Sequence, residues 1–528
     1  MKLNHLILAL SLWGTLCANN IAVTNVALTG KNVTDSYTLV EFDLSGENSW
    51  RISSGAANWD AAWVFVKYRA NGGEWQHASL NTDSANHTIP SGGVAEVPSD
   101  GKGVFLFRNS DGSGTFTLND VQLRWEYGND GVGDNDLVEV KVFAIEMVYV
   151  AQRSFDLGSG RRETRTFTDG IFRNTGSNNT TPFTISSEDQ LRIDSSEGNL
   201  WARYNGNPPT NAIGDTGYLP AAYPKGYDAF YCMKYELTQS QYRDFLNTLT
   251  YDQQDRRTVS SPDDAAGTGA LSSANEHRQG IDIMTPGVAS STPAVYACNL
   301  DGDGNYNETN DGQSIACNFV GWTDAAAFLD WAALRPMTEM EFEKACRGTT
   351  NNSPYEYAWG TGSRATGVYT LINEGTASEA IDSNYVVSST QGNMWYRTTE
   401  GNLGAVQGPL RVGIFAANGS STGRASSGAS YWGIMELSGN LRECAVSVAD
   451  TARSYTGING DGTLSSSGHA NQTNWPGMDG GRVINAQGIG HRGGSWRDAT
   501  GGCRVSVRSG AAAFAYGRAR INGMRGVR

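Results

Sequence analysis

Arg492-Gly493-Gly494-Ser495-Trp496, then Arg504-Val505-Ser506-Val507-Arg508, then the close Gly523-Met524-Arg525-Gly526-Val527-Arg528 form the stretch that decides how this chain is read. Fixed-looking Arg, Gly and Trp positions alternate with blocks that look free to vary. Between Arg497 and Asn522 there is no Lys, Glu, Gln, Met, Trp, Leu or Pro. Eight arginines lie from His491 to Arg528 against one acid, Asp498. This is the pattern of a scaffold carrying a permissive insert. The arginines are expected to be structural, because a planar guanidinium holds loops through forked hydrogen bonds. The chain as a whole carries a net charge of −14. That excludes a general nucleic-acid or anionic-membrane binder, which needs a basic surface.

Working upstream, three further motifs stand in order. They are Gly433-Ile434-Met435-Glu436-Leu437-Ser438-Gly439-Asn440-Leu441-Arg442-Glu443, Leu334-Arg335-Pro336-Met337-Thr338-Glu339-Met340-Glu341-Phe342-Glu343-Lys344-Ala345, and Tyr235-Glu236-Leu237-Thr238-Gln239-Ser240-Gln241-Tyr242. With the tail, they resemble the formylglycine-generating enzyme (sulfatase-modifying factor) family, over roughly Glu146 to Arg528. The resemblance implies a variant of the C-type lectin fold. It also implies a test for copper. The enzymes hold copper(I) with two thiolates in the tail, soft ligands for a soft ion. Here Asp498 stands at the first of those positions and Cys503 at the second, so copper and an oxidase activity are not expected. The resemblance further implies calcium at Glu436 and Glu443 with the main chain of Gly439 and Leu441, although Arg442 stands where the family has Trp. The alternative there is a Glu–Arg structural cluster.

Within that family the tail resembles the variable proteins of diversity-generating retroelements, whose C-terminal cassette is rewritten at adenine positions. Rewriting an AAC-type codon cannot yield Lys, Glu, Gln, Met or Trp, all missing from the insert. Met524 departs from the usual Phe. The resemblance implies that residues 491–528 are a variable ligand-binding cassette. Its contacts would be Arg497, Asp498, Ala499, Thr500, Cys503, Val507, Ser509, Phe514, Tyr516, Ala519, Arg520, Ile521 and Asn522, with Gly493, Gly494, Trp496, Arg504, Arg508, Arg518 and Arg525 as scaffold. Tyr516, Phe514 and Arg520 are of types frequent at binding hot spots. The expected partner is a macromolecular or glycan ligand of unknown identity.

A chain of 528 residues exceeds the usual single domain. Its start reads as a signal peptide over residues 1–18, with Lys2, an apolar Leu6–Leu16 run too short to span a bilayer, and Ala18 at the cleavage site. Cys17 raises lipidation, but Leu16 fits that poorly. The protein is therefore expected to be secreted or displayed on a bacterial cell surface. Residues 19–145 carry closely spaced alternating or apolar runs at Tyr37–Leu44, Ala62–Tyr68, Val104–Phe107 and Val138–Ala144. These predict a β-sandwich, read as an anchoring or presentation domain through which the chain attaches to the cell surface. Its Trp50, Trp59, Trp63 and Trp75 are core or sugar-stacking residues. The fold class expected is α+β: this sandwich, then a lectin-like domain over residues 146–528 with few regular elements. The spacing and capping boxes predict helices after Thr238 and Thr338, the latter stopped at Gly348, and a third capped by Thr323.

Two more features carry chemistry. Export permits disulfides, and Cys298 with Cys317, flanking a polar loop, is the expected pair. Between them Asp301, Asp303, Asn305 and Asn307 fall at positions 1, 3, 5 and 7 of a calcium loop, although Gly312 stands where a closing Glu is usual. A solvated turn rich in Asp and Asn is the alternative. No nucleophile–base set, zinc cluster, phosphate loop or dinucleotide fingerprint appears.

Overall fold

The computed structural model describes residues 21–161, 163, 165–170, 179–202, 216–273, 275–349, 352–397, 406–511 and 517–528. The signal segment, and Phe514 and Tyr516 of the cassette, lie outside the described residues.

The N-terminal runs form eight strands: β1 (Ala22–Asn32), β2 (Tyr37–Arg51), β3 (Asp60–Ala70), β4 (Gln76–His77), β5 (Gly93–Glu96), β6 (Val104–Arg108), β7 (Gly112–Trp125) and β8 (Val138–Val150). Strands β1, β2 and β7 make one antiparallel sheet. Successive side chains of a strand point to opposite faces. On β2 that places Val40, Phe42 and Leu44 inward, against Leu118, Val121 and Leu123 of β7 and the facing sheet. The expected sandwich is formed.

The facing sheet does not end with the sandwich. Its order runs from the pair Arg335–Pro336 through Gly526–Val527, Phe230–Met233, β8, β3 and β6 to β5, with β4 beside β3. Strand β3 is buried on both faces, which explains its unbroken apolar run. Ala62, Val64 and Val66 enter the sandwich core. Ala61, Trp63 and Phe65 enter a second core with Leu237, Phe328 and Trp331. Strand β8 pairs with β3 from Val138 to Val148 and with Phe230–Met233 through Met147–Val150. The expected border between residues 145 and 146 thus falls inside one strand. Beside it the buried Lys234 amine is ion-paired to Asp60 at 3.0 Å and Glu146 at 3.1 Å. Burial alone would lower its pKa; Glu146, Tyr235 and Asp60 outweigh that and hold it charged.

The second unit is irregular, with four helices among the described residues. α1 (Gln239–Leu246) and α4 (Glu339–Arg347) start at the expected capping boxes, Thr238 with Gln241 and Thr338 with Glu341. Gly348 ends α4 at φ +72°, a conformation that glycine adopts without penalty. α2 (Tyr251–Arg257) has the same box, Thr250 with Gln253, which the sequence reading passed over. α3 (Trp322–Trp331) is capped by Gly321 rather than Thr323. The Asp324 carboxylate accepts the Gly321 N–H at 3.1 Å, so the acid three residues on, not the threonine, fixes the start.

The expected Cys298–Cys317 disulfide is not formed; the six cysteines described are free and buried. Each thiol faces its own partner. Cys298 ends a strand beside Arg243. Cys317 accepts from the Gln279 amide at 3.7 Å and donates to the Asn318 carbonyl at 3.8 Å. Among the described residues, no helix is long and apolar enough to cross a membrane.

Candidate ligand-binding face of the C-terminal cassette

The frame of the cassette begins on α4. Glu339 and Glu343 lie four apart and share one helix face, and both side chains are fully buried. Two tail arginines meet them. Arg492 donates to Glu343 at 2.6 Å and lies 3.2 Å from Glu339, and it also donates to the Val505 carbonyl at 2.7 Å. Arg508 forks onto both oxygens of Glu339 at 2.6 and 2.7 Å and stacks over Phe167 at 3.7 Å. Arg347 joins the lattice through Glu343, Glu356 and Ser506. Glu341, on the opposite side of α4, takes Arg335 in a fork at 2.7 and 3.0 Å. The acids of the α4 motif and the arginines of the tail are therefore one structure.

The close of the chain is held the same way. Arg525 donates to Glu443 at 2.8 Å, to the Met233 carbonyl at 2.6 Å and to the Met435 carbonyl at 2.7 Å. Arg518 forks onto Asp324 at 2.8 Å. Trp496 is buried, with its indole N–H on the Arg520 carbonyl at 3.0 Å. Gly494 turns at φ +71°, and a Cβ there would meet the Cys503 sulfur at 2.7 Å. Arg492, Arg508, Arg518 and Arg525 are structural.

The residues expected to contact ligand separate into groups. Arg497, Ala499 and Ser509 are exposed; Thr500, Ala519, Arg520 and Ile521 are half-buried. Cys503, Val507 and Asn522 are corrections, because all three are buried. Cys503 packs among Tyr357, Trp359, Met394 and Tyr396, and the Asn522 amide donates to the Gly517 carbonyl at 2.8 Å. Their small or neutral side chains look free to vary, yet the frame closes over them. Asp498 is half-buried and ion-paired with Arg442, and the Ser495 hydroxyl also donates to it at 2.7 Å. Burial would raise this carboxyl, but the Arg442 guanidinium prevails and holds it below the usual range.

Two neighbours escaped the sequence reading. Arg397, exposed, donates its backbone N–H to the Asp498 carbonyl at 3.0 Å. His277 accepts from Arg520 at 2.8 Å and lies 5.4 Å from the Trp496 ring. Burial and the nearby Arg520 lower its pKa, so the ring is neutral and can accept. His277 and its neighbours Asn275 and Arg278 all have left-handed backbones, with φ of 51°, 58° and 65°. Such strain persists only where the surroundings impose it. Nothing in the sequence pairs residues so far apart.

Residues 219–528, more than half of the chain, match the sulfatase-modifying factor enzyme 1-like domain. The chain belongs to this family. The match opens downstream of Glu146, where the expected domain begins. Among solved structures, Treponema denticola variable protein 1 aligns with 73% of this chain and 95% of its own length, at 13% identity and a TM-score of 0.29. No curated protein matches the sequence.

The donor set in this family member does not fit copper(I). Asp498 offers a hard carboxylate already tied to Arg442, and the single thiol, Cys503, is buried with its pKa pushed up by burial. At Glu443 the Arg525 guanidinium supplies a counter-charge at 2.8 Å, while one oxygen each of Glu436 and Glu443 is buried without a hydrogen-bond partner. Arg442 is paired to Asp498 rather than to either glutamate. Glu436 accepts the Gly413 N–H at 2.8 Å, and burial raises its pKa to about 7.

Proposed function

We propose that this protein is a non-enzymatic ligand-binding protein, exported to the cell surface or secreted, whose C-terminal cassette presents a surface diversified by a retroelement. The observation that carries the reading is the segregation within the tail. Arg492, Arg508 and Arg525 are buried and paired with carboxylates, while Arg497, Ala499 and Ser509 between them are exposed. A frame of buried charge pairs tolerates change at the exposed positions, because substitutions away from packed features shift stability by only about 0.5 kcal/mol. The N-terminal sandwich, continuous with the family domain through β3 and β8, would then hold the cassette at a fixed orientation to whatever anchors the chain. Formylglycine production is disfavoured by the donor set at Asp498 and Cys503.

The test is to sequence the last codons across a population of the source bacterium. The reading expects adenine-directed changes at Arg497, Ala499, Thr500, Ser509, Ala519, Arg520 and Ile521, and constancy at Arg492, Trp496, Arg508 and Arg525. Changes spread evenly over both groups would refute it. So would formylglycine detected by mass spectrometry after incubation with copper, oxygen and a Cys-containing sulfatase peptide.

A further inference from the structure

The loop expected to hold calcium gathers Asp301, Asp303 and Glu308, all exposed, while the Asn307 side chain accepts from Arg243 and the Cys298 N–H. Exposed acids gather this way in solvated turns. A tighter cluster of charge lies in the core. Lys234, Asp60 and Glu146 are all buried. Asp60 opens β3, Glu146 lies on β8, and Lys234 follows the strand Phe230–Met233, so three neighbouring strands each send one member. The pairs Asp60–Val148 and Ala62–Glu146 set both acids on one face of the sheet. The Lys234 N–H on the Glu146 carbonyl at 2.9 Å fixes the third strand beside them. The amine lies 3.0 Å from Asp60 Oδ2 and 3.1 Å from Glu146 Oε1, with the Trp50 ring over it at 4.9 Å. Two features exceed what an ion pair requires. Among the described residues, neither acid pairs with another cation, so two carboxylates share one ammonium and one buried negative charge is left over. Burying such an excess is costly. The second oxygen of Asp60, Oδ1, accepts from the Ser49 hydroxyl at 2.8 Å and the Trp50 N–H at 2.9 Å. Asp60 therefore has an amine against one oxygen and two fixed donors on the other, the arrangement that stabilises addition to a carboxyl carbon.

We propose that Lys234 and Asp60 join in an intramolecular amide (isopeptide) bond, with Glu146 as the proton carrier. Amine and carboxyl are already held in contact by the sheet, so the reaction draws on a very high effective concentration. Glu146 takes one proton from the ammonium and delivers it to Asp60 Oδ2. The freed lone pair of Nζ adds to Asp60 Cγ, and the charge that develops on Oδ1 rests on the Ser49 and Trp50 donors. Glu146 then carries a second proton from the nitrogen to Oδ2, the Cγ–Oδ2 bond breaks, and water leaves. Both protons lost by the nitrogen end in that water, Glu146 ends as it began, and no oxidant or cofactor is consumed. Lys234 is charged in the ion pair, so its proton has to move within the site rather than out to solvent. Burial raises the Glu146 pKa, which suits a group that holds a proton in passing. Glu146 also lines a cleft of about 290 Å³ with Tyr235, Glu236 and Thr238, which gives the water a way out. The product replaces a buried ammonium and a buried carboxylate by a neutral amide. It ties β3 of the sandwich covalently to the family domain.

The test is the mass of the full chain, folded, then denatured and measured intact. Wild type should weigh one water less than its sequence, and protease digestion should release a branched peptide that joins the Asp60 and Lys234 segments. Lys234→Arg keeps the cation but offers a guanidinium that stays protonated and does not add to a carboxyl. Glu146→Gln keeps the shape but cannot carry the proton. Both variants should show the full mass and no branched peptide. The proposal fails if wild type shows the full mass, or if its missing water comes without the branched peptide. It fails equally if the deficit survives in Lys234→Arg, or if Glu146→Gln closes the bond as completely as wild type. The wild-type mass and digest decide the question even where a variant does not fold.

Discussion

Arg497 and Arg508 belong to one short stretch and share a side chain, yet they do opposite work. Arg508 is fully buried, stacked on Phe167 and forked onto Glu339; Arg497 stands in solvent. A guanidinium taken out of water must be matched by fixed acceptors, and once matched it cannot be replaced piecemeal. A guanidinium left in water answers to nothing in the fold. The difference teaches that an arginine-rich tail is not one functional unit. Its charges are divided between those that define the frame and those that the frame leaves free.

The largest effect should come from breaking the frame. Arg508→Ala strips Glu339 of its fork and leaves a buried carboxylate under-compensated, at a cost of about 3–5 kcal/mol. Urea unfolding reads it directly, and a loss under about 1 kcal/mol would mean that the lattice is not rigid. A buried acid held by neutral donors offers the contrast. Asp330 accepts from the backbone of Asp461 and Asn471 at 3.1 and 3.0 Å and from the Gln472 amide at 2.9 Å, and burial raises its pKa to about 7. Its folded pKa is above its unfolded one, so the folded state keeps a proton that the unfolded state gives up. Stability from this group is therefore lost as pH rises from about 4 to about 7, on the order of 4 kcal/mol in all. Asp330→Asn should gain on wild type between pH 5 and pH 8; a constant difference across that range would contradict the shift.

Smaller effects test the turn and the surface. Gly494→Ala adds a Cβ at 2.7 Å from the Cys503 sulfur on a left-handed backbone, at a cost of about 1–3 kcal/mol in the melt. Arg497→Ala and Ser509→Ala should leave stability within about 0.5 kcal/mol of wild type. If either is a hot spot for the ligand, binding should fall by about 1–2 kcal/mol while the melt stays put. An Arg497→Ala protein that unfolds would erase the contrast on which the two classes rest.

Much of the frame was legible in the sequence, because its signals are strong and local. The α4 motif carries its own capping box, and the tail motif announces Arg, Gly and Trp where buried forks and left-handed turns need them. The three wrongly exposed positions show where legibility ends. Cys503, Val507 and Asn522 resemble permissive residues, and only the packing of Tyr357, Trp359 and Tyr396, far upstream, reveals that Cys503 is covered. His277 was invisible for the same reason: its meeting with Arg520 depends on a loop conformation rather than on a pattern. Thr323 misled because a good capping residue sat inside the first turn, while Asp324 secured the start from Gly321. The disulfide was inferred from sequence proximity and export, and each thiol proved to face a different partner.

Strand β3 bears on how this protein could be rearranged by recombination. Its odd residues from Ala61 to Phe65 fill one core and its even residues from Ala62 to Val66 fill the other, while β8 hydrogen-bonds to the family domain at its far end. The N-terminal unit is thus not a detachable module. A graft that exchanged it for another presentation domain would have to carry β3 and β8 along with their outward-facing aromatics, or expose the floor of the family domain. The exposed positions of the cassette stand clear of the frame, but the platform beneath it can only be exchanged whole.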